Sequence, residues 1–176
     1  MDYISREKYI NKIKALINKP VIKILTGMRR VGKSSLLHII KDEILKDVAD
    51  ENKIYINFEA TNLLSINNVN SLLEYLKPLL EDVKGKVYFF FDEIQVIDGW
   101  EEVISDLKHN RDYDIFLTSS NKKLISSLSE KYVEFEIQPF TFSEFKKAFE
   151  NMELSKENLF YKFIQLGGLP FLKYFD

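Results

Sequence analysis

Along the chain, short runs dense in β-branched and aromatic residues alternate with longer stretches of helical periodicity. Five segments read as strands: "VIKIL" from Val21, "KIYINF" from Lys53, "VYFFF" from Val87, "DIFLTS" from Asp114 and "YVEFEI" from Tyr132. Strands separated by helix-length segments predict βαβ units and a parallel sheet with helices on both faces. The runs at 87–91 and 115–117 are unbroken and apolar, as expected of strands covered on both sides. The segment from Tyr132 alternates, with Val133, Phe135 and Ile137 opposing Tyr132, Glu134 and Glu136. Ile54, Ile56 and Phe58 oppose Tyr55 and Asn57 in the same way. Half-exposed strands belong at edges, so the second and fifth are expected outside, the third and fourth inside. The order 5-1-4-3-2 follows, with the fourth strand inserted between the first and the third.

Helices fill the gaps. "SSLLHIIKDEIL" carries Leu36, Leu37, Ile40 and Ile44 on one predicted face. In "FTFSEF" Thr141 is the expected N-cap, Glu144 closes a capping box, and Phe140 and Phe145 form a hydrophobic staple. The last helix should stop at "GGLP", where Gly167 or Gly168 can cap it and Pro170 forbids continuation. Three regions are expected: an N-terminal helix and adenine-side segment (1–20), a core (21–140), and the start of a helical lid (141–176) that reads as cut short.

Composition narrows the options. A chain of 176 residues buries about 70% of its unfolded surface and needs no covalent staples. It has no cysteine, which excludes disulfides and cysteine-ligated metal and suits a cytoplasmic protein. His38 and His109 have no ligand spacing and read as ordinary helix side chains. A net charge of −2 argues against a strong electrostatic grip on nucleic acid, although a local basic patch could still touch it. No apolar run is long enough to span a bilayer.

The chemistry concentrates at two places. Gly27-Met28-Arg29-Arg30-Val31-Gly32-Lys33-Ser34 fits G-x-x-x-x-G-K-[ST], between a strand and a helix, with Ser35 following. Gly27 and Gly32 let the backbone wrap inward so that N–H groups face phosphate oxygens. Lys33 brings a charge to the same oxygens, and Ser34 offers a hydroxyl to Mg²⁺. Arg29 and Arg30 either add positive potential or are solvated. Second, "FFFDEIQ" sets Asp92 and Glu93 just past a buried strand, at the end where ligands bind in parallel sheets. Asp92 is the candidate Mg²⁺ ligand, directly or through water, and Glu93 the candidate general base. At "TSSN" Asn121 or Ser120 is expected beside Glu93, orienting water or touching the γ-phosphate, in competition with a simple helix cap. Adjacent Asp-Glu with an inserted fourth strand points to a P-loop NTPase α/β/α sandwich of the additional-strand class, hydrolysing ATP.

Taken together, "GMRRVGKSSLL", "INFE", "FFDEIQ" before Trp100-Glu101, "TSSN", "YVEFEIQPFTFSEF" and "GGLP" resemble the archaeal and bacterial AAA-type ATPases over about residues 6–170. In that family the core precedes a C-terminal domain of little-understood role. The resemblance implies an ATP-binding core with Mg²⁺ that carries Lys33, Ser34, Asp92 and Glu93 in the roles just given. It also implies a separate C-terminal domain as partner. Glu130-Lys131 stands where the family often has Gly-Arg, and a lysine is a poor substitute for a charge-stabilising fork. Two other readings compete. One is a nucleotide-binding switch with little turnover. The other is a small-molecule kinase, disfavoured because no arginine follows residue 121.

Overall fold

The structure, a computed structural model, describes residues 3–60, 63, 65–110, 112–150 and 154–170; the end of the expected lid, 171–176, lies outside them. The chain runs α1 (Glu7–Lys14), β1 (Ile22–Thr26), α2 (Lys33–His38), β2 (Lys53–Asn57), α3 (Val69–Leu80), β3 (Val87–Asp92) and α4 (Trp100–His109). It continues through β4 (Tyr113–Ser119), α5 (Lys122–Ile125), β5 (Tyr132–Glu136), α6 (Phe142–Ala148) and α7 (Lys156–Leu166).

The five strands form one sheet in the order β2-β3-β4-β1-β5, every neighbouring pair parallel. This is the expected order read from the opposite edge. Hydrophobic burial divides into two layers by strand pleat. Ile24, Ile56, Phe89, Phe91, Ile115 and Leu117 face α3 and α4. Leu25, Tyr88, Phe90, Phe116 and Phe135 face α1 and α2.

After α2 the chain widens. Residues Ile39–Ile44 form a π-helical turn, with Leu45 N–H donating to Ile40 C=O at 3.0 Å. The regular helix expected through residue 45 is therefore corrected. Leu36, Leu37, Ile39 and Ile40 are all buried, a stripe too broad for one α-helical face, and the extra residue per turn rotates Leu45 into the core while Ile44 stays half-buried.

Helix α6 begins as its sequence specified. Thr141 Oγ1 accepts from Glu144 N–H, Glu144 accepts from Thr141 N–H, and Phe140 and Phe145 share a small core with Phe149 and Leu159. Phe140 N–H donates to Gly168 C=O at 2.6 Å, and a Cβ on Gly168 would lie 2.4 Å from Phe140 O. Only glycine permits that approach, which returns the chain after α7 to the core. Gly167 ends α7 with φ 72° and ψ 179°.

Arg6 joins α6 to the loop between β1 and α2. Its buried guanidinium makes two hydrogen bonds with Glu144, at 2.8 and 3.1 Å. It also donates to Gln138 C=O at 2.8 Å and to Val31 C=O at 3.4 Å, with the rings of Tyr9 and Phe140 alongside.

At the amino end of the sheet, Lys23 of β1 is 0% exposed and paired with Asp114 of β4. Burial pushes the Lys23 pKa down, against the pull of the Asp114 charge. Asp114 also accepts from Asn18 N–H at 2.7 Å, so the pair pins the turn entering β1. Removing one partner of a buried pair strands the other charge. Asp114→Ala is expected to cost about 3–5 kcal/mol, read as a lower urea midpoint, while the double change Lys23→Met with Asp114→Leu should recover most of it.

Candidate nucleotide site

The loop between β1 and α2 is bent by three residues of positive φ, Gly27 (139°), Arg30 (66°) and Gly32 (97°). A Cβ on Gly27 would lie 2.4 Å from Ile137 O, so the loop can start only at glycine. This curl makes a concave run of backbone in which successive N–H groups can converge on an anion. Lys33, the first residue of α2, folds back over it. Its side chain is 3% exposed, and its amine donates to Gly27 C=O (3.1 Å) and Met28 C=O (3.2 Å) and pairs with Glu93 Oε1 at 3.0 Å.

The acidic pair is held from two sides. Asp92, the last residue of β3, accepts from Thr118 Oγ1–H (2.5 Å) on one carboxylate oxygen and from Tyr55 O–H (2.9 Å) on the other. Glu93 follows in the left-handed region (φ 56°), and its N–H donates to the same Thr118 hydroxyl at 2.8 Å. One threonine thus fixes both residues. Glu93 Oε2 accepts from Gln95 Nε2–H (2.6 Å) and Ser120 N–H (3.0 Å). Burial pushes the Glu93 carboxyl up, but hydrogen bonds from Gln95 and Ser120 and the charge of Lys33 outweigh it and hold the group below its ordinary value. Burial, with the Asp92 charge second, raises the Tyr55 phenol far above its ordinary value, so it remains a donor. The buried Gln95 Oε1 has no hydrogen-bond partner among the described residues, leaving an acceptor for a water or ligand donor.

Between the loop and the acidic pair lies a cavity of about 400 Å³. Arg29, Arg30, Gly32, Lys33, Ser34, Ser35, Asp92 and Glu93 line it together with Asn57 and Glu59. Tyr3, Ile4, Phe140 and Pro170 form another part of its wall. Within the segment 1–20 expected on the adenine side, Ile4 reaches the cavity, whereas Tyr9 is in the core. Three expected loop contacts take other forms. Val31 has a buried side chain, and its C=O accepts from Arg6. Met28 contributes its carbonyl to Lys33 while its side chain is exposed. Arg29 is largely solvated and pairs with Glu59.

The expectation for Asn121 is corrected. Its side chain is exposed and accepts from Lys123 N–H at 3.2 Å as the cap of α5, while Ser120 makes the contact with Glu93. Thr118, Tyr55 and Gln95 were not singled out from sequence. Thr118 stands only two residues before Ser120 in the motif already noticed, and a two-residue step returns to the same side of the strand, so both serve the acidic pair.

The donor set suits a triphosphate with a small divalent cation. A concave loop too tight for a Cβ, a buried amine, a hydroxyl at Ser34 and a fixed carboxylate at Asp92 are hard-oxygen and anion-binding groups. Fold and site together define a nucleotide-binding core of the P-loop ATPase type. The chain belongs to the AAA domain family, whose model matches residues 19–146.

It is 31% identical to an uncharacterized protein of Haemophilus influenzae, over 95% of this chain and 44% of the relative. It is 36% identical to the uncharacterized protein MJ1544 of Methanocaldococcus jannaschii, over 100% of this chain and 42% of the relative. The chain thus spans less than half the length of either. Among solved structures, the fold is similar to the Aeropyrum pernix ORC1 protein in complex with DNA (TM-score 0.62, 14% identity, 85% of this chain and 50% of that one). It is also similar to AMPPCP-bound DnaA from Aquifex aeolicus (TM-score 0.59, 18% identity, 92% and 56%). No helix among the described residues is long and apolar enough to cross a membrane.

Because Thr118 serves both acidic residues, Thr118→Val should leave the Glu93 N–H and one Asp92 oxygen without their partner at nearly constant volume. The expected cost is about 1–3 kcal/mol, measured by urea unfolding; an unchanged midpoint would mean that this clamp carries no weight.

Proposed function

We propose that this chain is the ATPase core of a longer protein, binding Mg·ATP in the cavity above β1 and β3 and hydrolysing it to ADP and phosphate. The observation that carries the reading is the 3.0 Å pairing of Lys33 with Glu93 inside a cavity walled by the glycine loop. The phosphate-binding charge and the candidate base meet at one point. Loop N–H groups and Lys33 hold the phosphate oxygens. Ser34 and Asp92 would hold Mg²⁺, which when bound supplies charge neutralisation at the phosphates. On binding, Lys33 turns from Glu93 to the phosphate oxygens, so one carboxylate oxygen of Glu93 is released while Gln95 and Ser120 keep the other in place. Glu93 then takes a proton from water; the oxygen attacks the γ-phosphorus, the bond to the bridging oxygen breaks, and ADP departs with it. The released energy would reposition an attached domain through the lid that Arg6 fastens to the loop. The cytoplasm is the compartment that best suits this cysteine-free chain.

A switch with negligible turnover is the second reading. It is favoured by the fact that both Glu93 oxygens already have partners. Glu93→Gln decides between them. As the base, Glu93 contributes about 10²–10⁴-fold, so the variant should lose at least 100-fold in phosphate release while keeping ATP affinity, measured by calorimetric titration with ATP, ADP and GTP. Equal release from variant and wild type would leave the switch.

A further inference from the structure

Tyr55 shares its face of the edge strand β2 with Lys53 and Asn57, and its hydroxyl reaches the carboxylate of a neighbouring strand. Its O–H donates to Asp92 at 2.9 Å, on the oxygen that Thr118 does not use. Its ring leans on His38 with centroids 4.5 Å apart, and His38 in turn stacks on Tyr3 at 5.4 Å with planes 3° apart. His38 lies one turn beyond Ser34 on α2, on the same face. The stack therefore sets the phenol against Asp92 from the side on which Ser34 stands.

A carboxylate has about four acceptor positions. Here one position on each oxygen is taken by a protein donor, so the group can neither rotate nor offer both oxygens freely to one ion. Ca²⁺ takes six to eight oxygen ligands and readily accepts a carboxylate through both oxygens, whereas Mg²⁺ is octahedral, keeps several waters and needs only one. We propose that Tyr55 is a positioning residue that makes Asp92 selective for Mg²⁺ over Ca²⁺, by occupying the oxygen a larger ion would claim. This rests on the reading of Asp92 as the Mg²⁺ ligand.

The test is the affinity of the protein for ADP in EDTA, in Mg²⁺ and in Ca²⁺, by calorimetric titration of wild type and Tyr55→Phe. In wild type, Mg²⁺ should strengthen ADP binding more than Ca²⁺ does. Tyr55→Phe keeps the ring and its stacking, so ADP binding in EDTA should be unchanged and the Mg²⁺-to-Ca²⁺ ratio should fall about tenfold, the size of one hydrogen bond to a charged group. Tyr55→Leu, also donor-free, should give the same fall, so either variant that folds decides the matter. A ratio within about twofold of wild type, or equal weakening with and without metal, overturns the proposal; the twofold margin is well below the hydrogen-bond effect. If wild type shows no metal effect at all, the Mg²⁺ role of Asp92 fails first and Tyr55's with it.

Discussion

A primary ammonium group taken out of water costs several kcal/mol unless it is paired, and at the heart of this site sits one on a side chain that is 3% exposed. The geometry of the site follows from that requirement. Lys33 lies on the helix after β1 and its counterion on the turn after β3, yet β4 separates those strands. Their backbones are thus about two strand spacings, roughly 10 Å, apart. A long lysine and a glutamate together close that span, and only if the strand between them ends in small residues. Thr118, Ser119 and Ser120 meet the condition, and Thr118 and Ser120 use their polar atoms to fix the acidic side.

The sheet carries a second buried ammonium at its other end, and the contrast is instructive. Lys23 is bound to Asp114 across adjacent strands, in a setting closed by Asn18 and Phe116. Both side chains are almost fully buried, so that pair is a fixed part of the architecture. Lys33 instead faces a cavity, and two of its three partners are carbonyls of the loop itself. A phosphate oxygen can replace Glu93 without leaving either charge in an apolar setting. The same chemical group is a strut at one end of the fold and an exchangeable contact at the other.

Much of this was legible in the chain. The alternation at 53–58 and 132–137 named the edge strands, and unbroken apolar runs named the central ones, because burial on one face or two leaves a direct mark on composition. Thr141 and Glu144 announced their capping box because both partners are local. What was not legible depends on pleat and on distance. Tyr55 reads as the outward phase of an edge strand, and only the packed structure brings its hydroxyl to Asp92. Asn121 and Ser120 were equally open as partners for Glu93, because only the turn after β4 decides that the Ser120 N–H meets the carboxylate and the Asn121 amide caps the next helix. The π-turn was hidden for a similar reason: Ile44 fits the ordinary helical period, and one extra residue in the turn moves the core position to Leu45.

Arg6 binds in one guanidinium a carbonyl of the glycine loop, the linker after β5 and the first turn of α6. Two parts of the molecule that share a single rigid planar cation do not move independently. If filling the loop shifts the balance between two positions of α6, then by reciprocity a load that holds α6 in one position changes the loop's affinity by the same factor. This arginine is the fulcrum through which strain on that helix and occupancy of the loop are exchanged.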